Sequence, residues 1–234
     1  MDVGLILSVI TACAVADALA WYRSPATTSD PPHAVGTWPL LVGALVGRMS
    51  SLLIDDPSSI TSVRDLLAVR GGVDFWPGLV AGIAVLGVAA RREHVAVATR
   101  LADVAPYGLA GAAGYQVTCF VREGCFGPGS VIGVRGIHDT VFPVEPAGAI
   151  VLVAVGIWLL NGRRRQAAGL TIVAAVSALA LERAVVSVWL PVVGSGLSRA
   201  HVSSIVVAAL GVPTLAVMGL RSRSHLVTAA RGSS

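Results

Sequence analysis

Apolar residues run along the chain in seven long blocks, separated by shorter segments that are rich in arginine, glycine and proline. A bilayer core about 30 Å thick needs about 20 apolar residues as a helix, and somewhat fewer where neighbouring helices shield the ends. The pattern therefore predicts an all-α membrane protein, a single integral-membrane domain over residues 1–234. Its seven transmembrane helices are predicted at Val3–Tyr22, Trp38–Ile54, Phe75–Ala90, Val104–Val121, Ala147–Leu160, Ala168–Leu190 and Val202–Leu220.

The composition agrees with this interpretation and narrows the function. Hydrophobic residues make up 55% of the chain and charged residues only 13%, against about 25% charged residues in soluble domains. Every basic side chain is arginine, and the net charge of +4 is too small and dispersed to indicate nucleic-acid binding. No Cys-x-x-Cys or Cys/His array is present, so no metal site is predicted, and Cys13 and Cys119 are interpreted as small core residues.

Arginines outside the blocks are distributed unevenly between the two sets of loops. Ten follow the odd-numbered blocks: Arg23, Arg91, Arg92, Arg100, Arg163, Arg164, Arg165, Arg221, Arg223 and Arg231. The opposite loops hold only Arg64, Arg70, Arg135 and Arg199. By the positive-inside rule the N-terminus is outside and the C-terminus is cytoplasmic. The predicted external loops are about 55–74, 123–143 and 191–200, and the first includes an amphipathic segment around Ile60–Val69.

Three further arginines lie within or at the end of the even-numbered blocks, towards the external side: Arg48, Arg122 and Arg183. Placing an arginine within the bilayer costs roughly 2.5–3.5 kcal/mol on insertion scales, so a functional role is the default interpretation. Snorkelling of each side chain to the surface is the alternative. A glycine-rich turn follows Arg122, and glycine lets backbone approach a ligand closely. We therefore expect a polar cavity for an anionic head group, open to the outer leaflet.

Several segments carry a resemblance to a known family. The central one has Arg122, Gly124, Cys125, Phe126, Gly129 and Gly133 in register with that family's glycine-rich motif. The others, in chain order, are Gly43-Ala-Leu-Val-Gly47-Arg48, Arg70-Gly71-Gly72-Val-Asp-Phe-Trp76-Pro-Gly78-Leu79, Asp103-Val-Ala-Pro106, Pro143-Val-Glu145, Arg183-Ala-Val-Val-Ser187 and Leu197-Ser198-Arg-Ala-His201. Together they resemble the prolipoprotein diacylglyceryl transferases over nearly the whole chain.

This resemblance implies a multi-pass enzyme of the bacterial plasma (inner) membrane that uses no cofactor. Such transferases move the diacylglyceryl group of phosphatidylglycerol to the lipobox cysteine of a prolipoprotein signal peptide and release glycerol phosphate. By resemblance, Arg122 and Arg183 would hold the phosphate, and Glu145 is the candidate base, unless it is an interfacial charge or the partner of an arginine. The implied substrate-binding residues are Arg48, Gly71, Gly72, Trp76, Gly78, Gly124, Cys125, Gly129, Gly133 and His201. For Arg48 a supporting role is the alternative, for His201 a loop or cap role, and for Cys125 that of a nucleophile.

The chain also departs from the family pattern where a base is needed. Trp76 stands in place of the family's histidine, Cys125 in place of its asparagine, and Ser130 and Ser187 in place of two acids. A catalytically silent paralogue that binds anionic phospholipid or a lipoprotein precursor is therefore the main alternative. A transporter or channel is a further one, although the polar groups cluster on one side rather than crossing the membrane. Asp17 and Gln116 are predicted to form interhelical hydrogen bonds.

Overall fold

The computed structural model describes residues 3–26, 36–55, 73–121, 125, 127–135, 140–162, 167–189 and 198–231. This part of the chain forms seven α-helices: α1 (Val3–Tyr22), α2 (Thr37–Asp55), α3 (Phe75–Arg92), α4 (Val97–Val117), α5 (Val144–Gly162), α6 (Ala168–Val186) and α7 (Arg199–Arg231). A 3₁₀ turn, Cys119–Val121, follows α4. Before α5, β1 (Gly129–Arg135) and β2 (Thr140–Val141) pair as an antiparallel hairpin.

Each predicted block corresponds to one of these helices, and the largest differences are at helix ends. The α4 helix begins at Val97 rather than Val104 and ends at Val117 rather than Val121. Its first turns contain Arg100, which interrupts the apolar pattern but is only 2% exposed because it pairs with Glu93. The loop predicted at 123–143 contains the hairpin, which the sequence pattern did not predict.

Six of the described helices are long and apolar enough to cross a membrane, namely α1, α2, α3, α5, α6 and α7. Their outward faces carry large apolar side chains such as Ile10, Leu53, Ile150 and Leu210, each more than half exposed. Soluble monomers rarely expose apolar surface of this extent, and lipid would cover it. These helices therefore indicate a multi-pass membrane protein.

The α4 helix lies at the centre of the bundle. This position explains why α4 is less apolar than the six helices that could cross a membrane. It packs against α1, α3, α5 and α6. Its buried positions include small residues, and a Cβ added at Gly111 would lie 3.2 Å from the carbonyl oxygen of Ala12 on α1. A helix that faces other helices on all sides needs small residues for close packing more than large apolar ones for lipid.

Glycines also set the crossing of α2 and α3. A Cβ at Gly43 would lie 2.8 Å from the carbonyl oxygen of Gly78, and a Cβ at Gly78 would lie 2.6 Å from that of Gly43. Gly47 faces the backbone of Asp74 in the same way. Close packing of α2 against α3 and the residue before it therefore explains the glycines at positions 43 and 47.

The two ends of the bundle are distinguished by the hairpin. At the end that carries it, which we call the hairpin end, Thr118 after α4 donates a hydrogen bond to Ser8 of α1 (2.7 Å). The N–H of Asp74 before α3 donates to the carbonyl oxygen of Gly47 in α2 there (2.9 Å). At the opposite end, the Tyr107 hydroxyl of α4 donates to the Arg23 carbonyl after α1. The amphipathic segment predicted around Ile60–Val69 lies outside the described residues.

Candidate functional site

An elongated cavity of about 250 Å³ lies between α1, α2, α3, α4 and α6. Its α3 wall extends from Phe75 to Leu86, which at 1.5 Å per residue corresponds to ~16 Å along the helix axis. The walls are mostly aliphatic side chains and glycine, with Leu79, Ile83 and Leu179 among them. A cavity of this shape suits an extended hydrocarbon chain.

Polar groups line the hairpin end of the cavity: Asp74, Tyr115, Gln116 and Arg183. The guanidinium carbon of Arg183 lies 4.7 Å from the ring centroid of Phe75, which is a cation–π contact. Asp74 is hydrogen-bonded to neighbouring residues, and Arg183 is the cationic side chain among the described residues that line the cavity. The arrangement matches an amphiphile with an anionic head group.

Asp74 connects three helices at this end. Its two carboxylate oxygens accept hydrogen bonds from Nη2 of Arg199 on α7 at 3.0 and 2.9 Å, and one also accepts from the Ser50 hydroxyl of α2 at 2.9 Å. Sequence analysis missed this network. An aspartate directly before a helix is a recognisable capping signal, but its partner Arg199 is 125 residues away in sequence.

The predicted arginines have different placements. Arg183 lines the cavity. Arg48 is buried, with 5% exposure, one helical turn beyond Ala44, which lines the cavity. Arg122 lies outside the described residues. Convergence of all three on one anion therefore stays a prediction.

The glycines predicted to bind substrate also fall into groups. Gly71, Gly72 and Gly124 lie outside the described residues. Gly78 lines the cavity and makes the close contact with α2. Gly133 of β1 faces the Val141 carbonyl oxygen so closely that a side chain would collide with it, whereas Gly129 has open space. Approach of the two hairpin strands is thus a sufficient reason for glycine at position 133.

A disulfide bond joins Cys119 to Cys125, with their Cα atoms 4.9 Å apart. Both residues are buried, and the remaining cysteine, Cys13, is free and buried. Cys119 is buried as predicted for a core residue, but it is bonded to Cys125 rather than free. The alternative of Cys125 as a nucleophile was wrong, because its sulfur is already bonded. The bond closes the segment of chain that contains Arg122.

Buried carboxylates form a second polar group beside the cavity. Glu145, in the first turn of α5, is 2% exposed, so it is not an interfacial charge. Glu182 on α6 is 6% exposed and directly precedes Arg183. A Cβ on Gly148 would lie 2.7 Å from Glu182 Oε1 and 3.1 Å from Gln116 Oε1. Gln116 therefore lies close to α5 and α6, but its Oε1 has no hydrogen-bond partner among the described residues, so its predicted interhelical hydrogen bond stays a prediction. Asp17, in contrast, accepts a hydrogen bond from Thr37 of α2, as predicted.

Two contacts with α7 complete the hairpin end. The indole N–H of Trp76 on α3 donates to the Ser204 hydroxyl at 3.1 Å. Ser187 Oγ, directly after α6, lies 2.8 Å from His201 Nδ1. Ser187 follows Arg183 by four residues, so both lie on the same face of the chain. Sequence analysis did not pair Ser187 with His201, because nothing in either residue's own neighbourhood predicts the contact.

Comparison of the chain with protein-family models gives no match, and comparison with curated proteins gives none either.

Proposed function

We propose that this protein transfers the diacylglyceryl group of phosphatidylglycerol to the lipobox cysteine thiol of prolipoproteins. The observation that carries the proposal is the apolar cavity that ends at Arg183. Its walls suit an acyl chain, and a guanidinium holds phosphate oxygens through its planar fork. The resemblance to prolipoprotein diacylglyceryl transferases supplies the reaction, and the cavity is compatible with its lipid substrate.

In this reaction the acceptor sulfur forms a bond to a glycerol carbon of the lipid, and the bond from that carbon to the phosphate oxygen breaks. The electron pair leaves with glycerol phosphate, so negative charge increases on the departing group. Arg183 would stabilise that charge, and the apolar walls strengthen its effect because they exclude water. By resemblance, Arg122 would provide a second cation.

The proposal includes the orientation of the chain in a bacterial plasma membrane, with seven spans and the N-terminus outside. The arginine distribution supports it, since the hairpin end then faces outwards. The Cys119–Cys125 disulfide at that end is consistent with an oxidising exterior. The cavity would thus receive phosphatidylglycerol from the outer leaflet.

A specific observation favours the alternative of a silent lipid-binding paralogue. Trp76 occupies the position of the family's histidine, and its indole nitrogen donates to Ser204 and has no lone pair for a proton. Phosphate binding would survive this replacement, whereas thiol activation would need another group. In both functions Arg183 would bind the phosphate, but only the transferase would turn over its substrates.

The first test uses the purified protein in detergent with phosphatidylglycerol and a lipobox peptide. Released glycerol phosphate and the lipidated cysteine are both measured. We expect turnover, and a loss of about 10²–10³-fold in Arg183→Gln, the range found when a donor to a developing oxyanion is removed. Arg122→Ala is expected to lose activity similarly. Arg92→Gln, exposed at the far end of α3, is the matched control and should be unaffected.

The outcomes separate the two candidates. Absence of turnover, with phosphatidylglycerol binding that depends on Arg183, would replace the transferase with the silent binder. If Arg183→Gln changes neither turnover nor lipid binding, the cavity is not the lipid site and both proposals fail.

A further inference from the structure

The hydrogen-bonded pair of Ser187 and His201 lies one helical turn beyond Arg183, at the hairpin end. From this geometry we infer that His201 is the general base that removes the proton from the acceptor thiol. The inference rests on the proposed function and deepens it, because it supplies the base that the reaction requires.

Two helices hold the pair in place. Ser187 is the residue that ends α6, and its N–H donates to the carbonyl oxygen of Arg183 at 2.9 Å. His201 is the third residue of α7, and its N–H donates to Ser198 Oγ at 3.1 Å, so Ser198 caps this helix. Both backbones are therefore fixed where the 2.8 Å contact forms.

The hydrogen bonds of Ser187 are compatible with a basic Nε2 on His201. The Ser187 hydroxyl lies 3.1 Å from the carbonyl oxygen of Ala184, which can only accept. When the hydroxyl donates to that carbonyl, Ser187 Oγ accepts from His201 and the imidazole proton is on Nδ1. The lone pair is then on Nε2, the tautomer that a general base needs.

The competing bases are less suitable. Glu145 is 2% exposed, whereas His201 is partly exposed at the hairpin end, so an incoming peptide thiol reaches His201 more easily. Trp76 occupies the position of the family's histidine and has no basic nitrogen. Its Ser204 contact, however, brings α3 against α7 one turn along from His201. His201 on α7 thus lies near Trp76 on α3, the position at which the family that the chain resembles has a histidine.

The charged groups around His201 suit this role. Arg183 lies one turn before Ser187 on α6. At the start of α3, Asp74 is paired with Arg199 of α7. In the step, His201 Nε2 takes the thiol proton and the thiolate attacks the glycerol carbon. The leaving phosphate departs with the bonding electron pair beside Arg183 and receives the proton from the imidazolium. No other reactant is required.

The test compares wild type, His201→Gln, Ser187→Ala and Ser187→Thr in the transfer assay across pH 5 to 9. Glutamine is well tolerated at the third position of a helix, so His201→Gln keeps the fold of α7. Phosphatidylglycerol binding checks that the lipid site survives. His94→Asn is the matched control, since His94 is exposed at the far end of the bundle and asparagine tolerates its φ of 57°.

We expect His201→Gln to lose roughly 10²–10⁴-fold in kcat while binding lipid normally, the contribution of a positioned base. The pH profile of kcat should also differ between this variant and the wild type. A selenocysteine acceptor, which ionises more readily than cysteine, should restore much of the rate because it needs no base. Ser187→Ala should lower kcat less, and Ser187→Thr, which keeps the hydroxyl, should restore it.

An active wild type whose His201→Gln variant keeps the full rate and the same pH profile would overturn the inference and leave the transferase intact. Equal loss with cysteine and selenocysteine acceptors would also overturn it, since it would indicate a structural role. An inactive wild type would instead refute the proposed function itself.

Discussion

Single residues at the hairpin end carry most of the chemistry that the fold makes available. Arg183 is a cation at the hairpin end of the cavity. Asp74 links α2, α3 and α7 through hydrogen bonds, and Ser187 lies within hydrogen-bond distance of His201. Each of these side chains is polar at a depth where polar groups need partners. Their hydrogen bonds and contacts therefore indicate which groups are structural and which are available to a ligand.

The cysteines give a prediction at this scale. With the Cys119–Cys125 bond intact, only Cys13 is free, so the denatured protein should react with one equivalent of a maleimide-polyethylene glycol. After reduction it should react with three, the number of cysteines in the chain. Gel shifts of denatured samples would show this. Three labels before reduction would contradict the disulfide.

At the scale of the helices, close packing fixes how they cross, and the α2–α3 crossing shows this most clearly. The two helices approach backbone to backbone at Gly43 and Gly78. The central α4 has its own close contacts with α1, although Arg100 and Asp103 obscure its start in the apolar pattern. Small residues thus mark helix contacts in this chain more reliably than hydropathy does.

Gly78→Ala tests the crossing. The new methyl would lie 2.6 Å from the Gly43 carbonyl oxygen, so the helices must separate, and overpacking of this kind costs about 1–3 kcal/mol. We expect a lower thermal unfolding midpoint in detergent. Gly219→Ala on α7, where a methyl would meet nothing within 4 Å, is the control and should not lower the midpoint, since alanine favours a helix more than glycine does. Equal midpoints for the two variants would show that the crossing tolerates a wider spacing.

At the scale of the whole molecule, the two ends of the bundle differ in chemistry. The cavity's polar groups, the disulfide and the hairpin share one end, while Arg23 after α1 and Arg91 and Arg92 in the last turn of α3 lie at the other. This polarity is what a membrane enzyme that takes lipid from one leaflet requires. It also makes the proposed orientation testable.

Cysteine reporters would test that orientation in intact cells. Val131→Cys lies on the fully exposed hairpin, and Ala96→Cys is exposed between α3 and α4 at the opposite end. We expect a membrane-impermeant maleimide to label the first directly and the second only after permeabilisation. The buried Cys13 keeps the background low. Labelling in the reverse pattern would invert the topology and exclude the outer leaflet as the lipid source.

The sequence by itself determined the helices, because lipid and backbone hydrogen bonding leave long apolar segments no other structure. The α1 bounds agree with the prediction residue for residue. The sequence also singled out Arg183, because placing a cation within an apolar block costs free energy and a functional role is the default explanation. The sequence could not predict which residues pair when they are distant along the chain or when the pairing depends on the direction of a side chain. Asp74 with Arg199, Ser187 with His201 and Cys119 with Cys125 were decided by the tertiary structure, because only packing of the helices and turns fixes which side chains meet.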